Sequence, residues 1–204
     1  MPLAPKFASV AAFILTGGAS SRMGNDKALL EIAGLPMLVR TAHLLEPLVA
    51  SVAVIGPPEQ YSRFGLPVFP DDVLGLGPLG GIVTALRRTS APWNLVVACD
   101  LPYLTSAWLE YLLTRARSSA ADAVLPESAR GLEPLCAVYH RRCAEPIAAA
   151  LARGIYKVTD GLAACTVEKV TPAQWKPFDS DGCLFKNMNA PEDYAEARAR
   201  FARE

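Results

Sequence analysis

Lys27 closes a run, Leu15-Thr16-Gly17-Gly18-Ala19-Ser20-Ser21-Arg22-Met23-Gly24-Asn25-Asp26-Lys27, whose residue types suit a polyanion. Gly17 and Gly18 let a backbone turn sharply and present bare N–H groups to phosphate oxygens. Arg22 adds a planar fork of donors, and Lys27 adds a point charge. The run is neither of the two common phosphate loops. Gly24 is followed by Asn25 rather than by the Lys-Ser/Thr of a Walker loop, and G-x-G-x-x-G spacing is absent. On its own, the run also reads as an ordinary glycine-rich connection from strand to helix.

Three further segments carry candidate chemistry. Asp100 ends an apolar run and precedes Leu101-Pro102-Tyr103-Leu104. A carboxylate there is poorly solvated unless paired, and a hard divalent cation such as magnesium is a natural partner. The competing role is a turn or cap before the helix near Thr105, although Thr105 and Ser106 can cap that helix themselves. Asp71-Asp72 precedes the glycine-rich segment Gly75-Leu76-Gly77-Pro78-Leu79-Gly80-Gly81. An aspartate there could accept hydrogen bonds from a ribose or a base edge, or the pair could be a solvated turn. Asn187-Met188-Asn189-Ala190-Pro191-Glu192 opens the last helix, and Asn189 with Glu192 has capping-box spacing. Capping leaves Asn187 unexplained; it points at a ligand or satisfies a loop.

The elements that must position these residues alternate along the chain. Strand-like runs are expected at Val10–Thr16, Ala50–Ile55, Asn94–Cys99, Asp122–Leu125, Leu135–Tyr139 and Thr166–Val170. Helical spacing is expected at Met37–Leu48, Leu79–Arg88, Ser106–Arg117, Cys143–Ala152 and Pro191–Arg203. This alternation predicts an α/β fold, a mostly parallel sheet flanked by helices, in one domain over 1–204. In such sheets ligands bind beyond the carboxyl ends of the strands, where both the glycine run and Asp100 fall.

Composition narrows the function. The 204 residues suffice for one domain with a substantial core, and 20 basic residues balance 20 acidic ones. With no Lys/Arg block, nucleic acid and anionic membrane are not expected partners. Five cysteines without C-x-x-C spacing argue against a disulfide framework and a zinc site, and fit reduced thiols in a cytoplasmic protein. Two histidines, His43 and His140, cannot form a His-rich metal cluster. Cys99 reads as a core residue rather than a nucleophile. With no nucleophile–base pair in view, direct displacement is expected rather than a covalent intermediate.

Five segments together resemble the molybdenum cofactor guanylyltransferases: Gly17-Gly18-x-Ser20-x-Arg22-Met23-Gly24-x-Asp26-Lys27, Gly77-Pro78-Leu79-x-Gly81, Cys99-Asp100-x-Pro102-Tyr103, Glu133-Pro134-Leu135-x-Ala137-Val138-Tyr139, and Asn187-x-Asn189-x-Pro191-Glu192. The resemblance covers about Ala11 to Tyr194 and implies a Rossmann-like single domain, its N-terminal part binding GTP and its C-terminal part molybdopterin. It implies GMP transfer from GTP onto the molybdopterin phosphate, with magnesium and release of pyrophosphate. Residue by residue, it implies guanine contacts from the backbone of Leu15, Thr16 and Gly17, with Gly18 in the same GTP-binding loop. Lys27 would bind phosphate with help from Arg22, Asp72 would meet the nucleoside, and Asp100 would hold magnesium. Asn187 and Asn189 would lie on the pterin side. Gly17-Gly18 follows the guanine pattern rather than the Ala-Ala-Gly of cytidylyltransferase relatives. A monomer is expected, with transient contacts to cofactor-biosynthesis proteins or molybdoenzyme chaperones. The chain departs from many relatives in three places: Ile55-Gly56-Pro57 replaces an asparagine, Tyr156-Lys157-Val158 keeps one charge of a basic pair, and Glu133 stands at a variable position. The alternatives are a relative that uses CTP or another acceptor, and a catalytically silent nucleotide-binding protein.

Overall fold

The structure, a computed structural model, describes residues 4–17, 26–73 and 75–202. Among them the chain runs β1 (Phe7–Leu15), β2 (Glu31–Ile32), β3 (Leu35–Pro36), α1 (Met37–Leu45), β4 (Val49–Ile55), α2 (Pro58–Tyr61), β5 (Val68–Phe69), α3 (Gly77–Arg87), β6 (Trp93–Ala98), α4 (Ser106–Ser118), β7 (Ala123–Ser128), β8 (Gly131–Leu132), β9 (Cys136–His140), α5 (Ala144–Ala152), α6 (Val158–Gly161), β10 (Val167–Val170), α7 (Pro172–Trp175) and α8 (Pro191–Phe201).

The main sheet has the order β10-β7-β9-β6-β1-β4-β5, with β8 paired to β7. β1 lies at its centre, parallel to both β4 and β6. Its apolar run is explained by burial on both faces. Val10, Ala12 and Ile14 enter the core shared with α1 and α4, whereas Ala11, Phe13 and Leu15 enter the core beneath α3, α5 and α6. Within the seven-strand order β9 runs against both β6 and β7 and makes the sheet mixed, and the short β8 is also antiparallel to β7. The mixed pairing arises because the chain leaving β7 reverses through Gly131, at φ +109°, instead of crossing over through a helix.

Expected and observed elements differ mainly at their ends. α1 stops at Leu45 rather than Leu48, because Pro47 has no N–H with which to continue it. A β2–β3 hairpin not expected from the sequence turns through Ala33 and Gly34, both at positive φ. It packs with α8 and Tyr103 around Ile32, Met37 and Met188, a small third core that brings the C-terminal segment back to the sheet.

Candidate active site

The two parallel strands that carry the candidate residues end side by side. Leu15 pairs with Ala98, and just beyond, Cys99 N–H donates to Leu15 C=O at 3.1 Å. Asp100 therefore leaves the sheet next to Gly17. Its backbone carbonyl accepts from Met188 N at 3.0 Å, so the segment before α8 is fastened to the same strand end. The side chains then meet. Lys27 Nζ donates to Asp100 Oδ2 at 3.1 Å and to Asn189 Oδ1 at 2.7 Å, and Asn187 Nδ2 donates to Asp100 Oδ1 at 3.3 Å. Four residues from three distant stretches of sequence thus form one polar cluster. It lines a cavity of about 310 Å³ together with Thr16, Gly17 and Pro78.

The cluster is partly withdrawn from water: the Lys27 and Asp100 side chains are 19% and 16% exposed. Lys27 starts a short 3-10 turn, Lys27–Leu29, capped by Asp26, whose Oδ1 accepts from Ala28 N at 3.0 Å. Cys99 is buried, and desolvation first, then the Asp100 carboxylate, push its thiol up; it stays protonated and is a core residue. Thr105 caps α4, with its Oγ1 accepting from Trp108 N at 3.3 Å, which leaves Asp100 free of that duty.

A second cavity of about 380 Å³ adjoins the first and shares Leu15, Gly17 and Pro78 with it. Asp71, Gly77 and Gly81 complete its wall. Here the acidic pair separates. Asp72 turns away: its Oδ1 accepts from Arg88 Nη2 at 2.6 Å, and it lines a different cavity between α3 and α5. Asp72, the residue expected to meet the nucleoside, is held along α3 by its ion pair with Arg88, and Asp71 is the member of the pair that lines this cavity. Asp71 Oδ1 is buried without a hydrogen-bond partner among the described residues, and desolvation raises its carboxyl above the usual range. A Cβ on Gly81 would lie 3.5 Å from that oxygen, so a larger side chain there would intrude on the approach to it.

Leu15 and Thr16 line the cleft, but Leu15 C=O is taken by Cys99, and the Thr16 N–H and hydroxyl both donate to Ile55 C=O, at 3.1 and 2.9 Å. Gly17 lines both cavities. Gly18 and Arg22 lie outside the described residues. Asn189 does not cap α8: Pro191 opens that helix, and Asp193 Oδ2 accepts from the N–H groups of Asn189 and Ala190, both at 3.0 Å. The Asn189 side chain is thereby free to meet Lys27. Gly56, in the departure Ile55-Gly56-Pro57, is required by its neighbour, since a Cβ there would sit 2.0 Å from Thr16 Oγ1. Lys157 is 73% exposed and lies 3.7 Å from Asp160. Glu133 Oε1 accepts from Ser128 Oγ at 2.6 Å and from Arg130 Nη2 at 3.3 Å, and Arg130 also donates to Phe185 C=O, two residues before Asn187. Asp193 and Arg130 were not singled out from sequence, and Asp71 was read only as one of an acidic pair. Of the first two, only Asp193 carried a signal, an acidic residue in the first turn after Pro191.

Hard oxygen donors at the end of a buried strand, an ammonium beside them and a glycine-walled cavity define a nucleotide-binding α/β protein. The comparisons with known proteins agree and narrow the class. A model of the MobA-like NTP transferase domain matches residues 12–166. The chain belongs to that family. It is 36% identical over 186 residues to a protein of Pelotomaculum thermopropionicum described as a probable molybdenum cofactor guanylyltransferase, covering 91% of this chain and 90% of that one. The crystal structure of molybdopterin-guanine dinucleotide biosynthesis protein A from Archaeoglobus fulgidus is similar with a TM-score of 0.84 and 25% identity, over 95% of this chain and all of that one. The 2-C-methyl-D-erythritol 4-phosphate cytidylyltransferase of Thermus thermophilus shares the fold with a TM-score of 0.70 and 18% identity, over 94% of this chain and 98% of that one.

Proposed function

We propose that this chain transfers GMP from GTP to the terminal phosphate of molybdopterin, releasing pyrophosphate. The observation that carries the reading is the convergence of Lys27, Asp100, Asn187 and Asn189 beside a cavity whose far wall holds the unpartnered Asp71 oxygen. An acceptor phosphate oxygen attacks the α-phosphorus, one O–P bond forms, and the bond to the bridging oxygen of pyrophosphate breaks. The acceptor is already anionic, so no general base is needed. What the protein must supply is alignment and charge neutralisation.

Each residue then has a task. Lys27 exchanges Asp100 and Asn189 for phosphate oxygens and balances charge building on the leaving pyrophosphate. Asn187 and Asn189, on the segment that leads into α8, face that ammonium and Asp100 and take the pterin side. Gly17 lets the nucleotide approach the end of β1. Asp71 accepts N–H or O–H donors from the nucleoside, in the role expected of Asp72. Arg22 and Gly18 keep their expected roles at the phosphates.

Asp100 also suits magnesium. One carboxylate with neighbouring amide oxygens is a hard donor set, and magnesium takes one or two carboxylates and leaves its other positions to water and phosphate. When bound, the cation would lower the repulsion between the two phosphates.

The test is a comparison of GTP with CTP, ATP and UTP, with molybdopterin as acceptor and product mass as readout. The expected product is the guanine dinucleotide. Preferential formation of the cytosine product would overturn the base assignment, and no product from any triphosphate would overturn the activity.

A further inference from the structure

Asp26, the residue before Lys27, is held from two sides. Its Oδ1 accepts from Ala28 N within its own turn at 3.0 Å, and its Oδ2 accepts from the phenol of Tyr61 at 2.6 Å. Tyr61 ends α2, 35 positions further along the chain, and is only 2% exposed. The ring has little freedom: a Cβ on Gly56 would lie 2.9 Å from its Cε2. Thr16 stands against the same glycine, its Oγ1 2.0 Å from that Cβ position. Thr16 in turn is bonded to Ile55 C=O, at the end of β4. Burial first, and the bond to Asp26 second, push the phenol up, so it keeps its proton and acts as a donor rather than as an acid or nucleophile.

These contacts connect the end of β1, the end of β4 and the turn that carries Lys27. A lysine has a long, rotamer-rich side chain, and the site of its ammonium depends on where its backbone is held. We infer that Tyr61 is a positioning residue: its hydroxyl fixes Asp26 and so sets where the Lys27 ammonium meets the triphosphate. The inference rests on the reading that Lys27 binds GTP phosphates. Tyr61 touches no substrate itself.

Tyr61→Phe keeps the buried ring and removes only the donor. Calorimetric titration with GTP and magnesium is the readout, run on the wild type, Tyr61→Phe, Lys27→Ala and the double variant, with melting temperatures alongside. Tyr61→Phe is expected to weaken GTP binding by about tenfold, not through a lost ligand contact but because the Lys27 ammonium is no longer held at the phosphates. In the Lys27→Ala background the same change is expected to cost less than about twofold, because interacting sites are not additive. A merely structural tyrosine would cost the same in both backgrounds, and that result overturns the inference, as does unchanged affinity in Tyr61→Phe. If Tyr61→Phe fails to fold, Asp26→Asn, with one acceptor oxygen in place of two, is read by the same cycle and the same criteria. A wild type that binds no GTP overturns the functional reading and this inference with it. Tight wild-type binding that is insensitive to Tyr61→Phe overturns this inference alone.

Discussion

The two ends of the cleft are prepared in opposite ways. At the phosphate end, Lys27, Asp100, Asn187 and Asn189 satisfy one another, and both oxygens of Asp100 already have a donor. At the nucleoside end, Asp71 Oδ1 is buried with no donor among the described residues, between glycines that leave room beside it. The first end is ordered before ligand arrives, and binding exchanges one set of partners for another. The second end carries a desolvation cost that only a ligand donor relieves. On the proposed function, charge is stored as an ion pair at the end given to the phosphates, and specificity as an unmet hydrogen bond at the end given to the nucleoside.

Substitutions separate the two ends. The largest effect is expected at the phosphate end, where Lys27→Ala and Asp100→Ala should each lower the rate of GMP transfer by about 10²–10³ with the fold intact, measured as steady-state turnover. Next comes Asp71→Asn, expected to weaken GTP binding by roughly 10–100-fold in a calorimetric titration. The same variant should melt higher than the wild type when no ligand is present. Because burial raises the Asp71 carboxyl in the folded state, the folded wild type holds that proton more tightly than the unfolded chain does. Its stability therefore falls as pH rises through the window from the ordinary carboxylate value of about 4 to the raised folded value. The melting-temperature gap between the variant and the wild type should open across that window and close below it. An equal gap at all pH values would show that the Asp71 charge is not the cause.

Smaller effects sharpen the boundary at α8. Asn189→Ala should reduce turnover by about tenfold, through loss of the amide that the proposed function places on the acceptor side once Lys27 has turned to phosphate, with little change in melting temperature. Asp193→Ala should do the reverse, costing about 1 kcal/mol of stability in urea unfolding while the chemistry continues. If Asn189→Ala destabilises and Asp193→Ala does not, the capping assignment made here is reversed.

The sequence revealed the strands and helices whose patterns are strong. β1 and β6 are apolar on successive residues because both faces are covered, and α4 shows its cap and its spacing. It did not reveal the β2–β3 hairpin, since Ala33-Gly34 puts an alanine at positive φ where a turn signal would show Asn or Asp. Nor did it reveal the direction of β9, which is fixed by pairing with two neighbours rather than by its own residues. At the candidate site, Asp100 stood out as a carboxylate just past a buried strand, and Lys27 as a cation closing a glycine-rich run. The different placement of Asp71 and Asp72 was not legible, because it depends on Arg88, the residue that follows the end of α3, 16 positions away from Asp72. Tyr61 was hidden for the same reason, its partner being 35 positions away.

Magnesium dependence of GTP binding tests the central claim most directly, namely that Asp100 and Lys27 serve one triphosphate. Wild type and Asp100→Asn are titrated with GTP in the presence of magnesium and of a chelator. Magnesium is expected to tighten wild-type binding by at least about tenfold and Asp100→Asn binding by less than about twofold. An equal gain in both proteins would contradict the account.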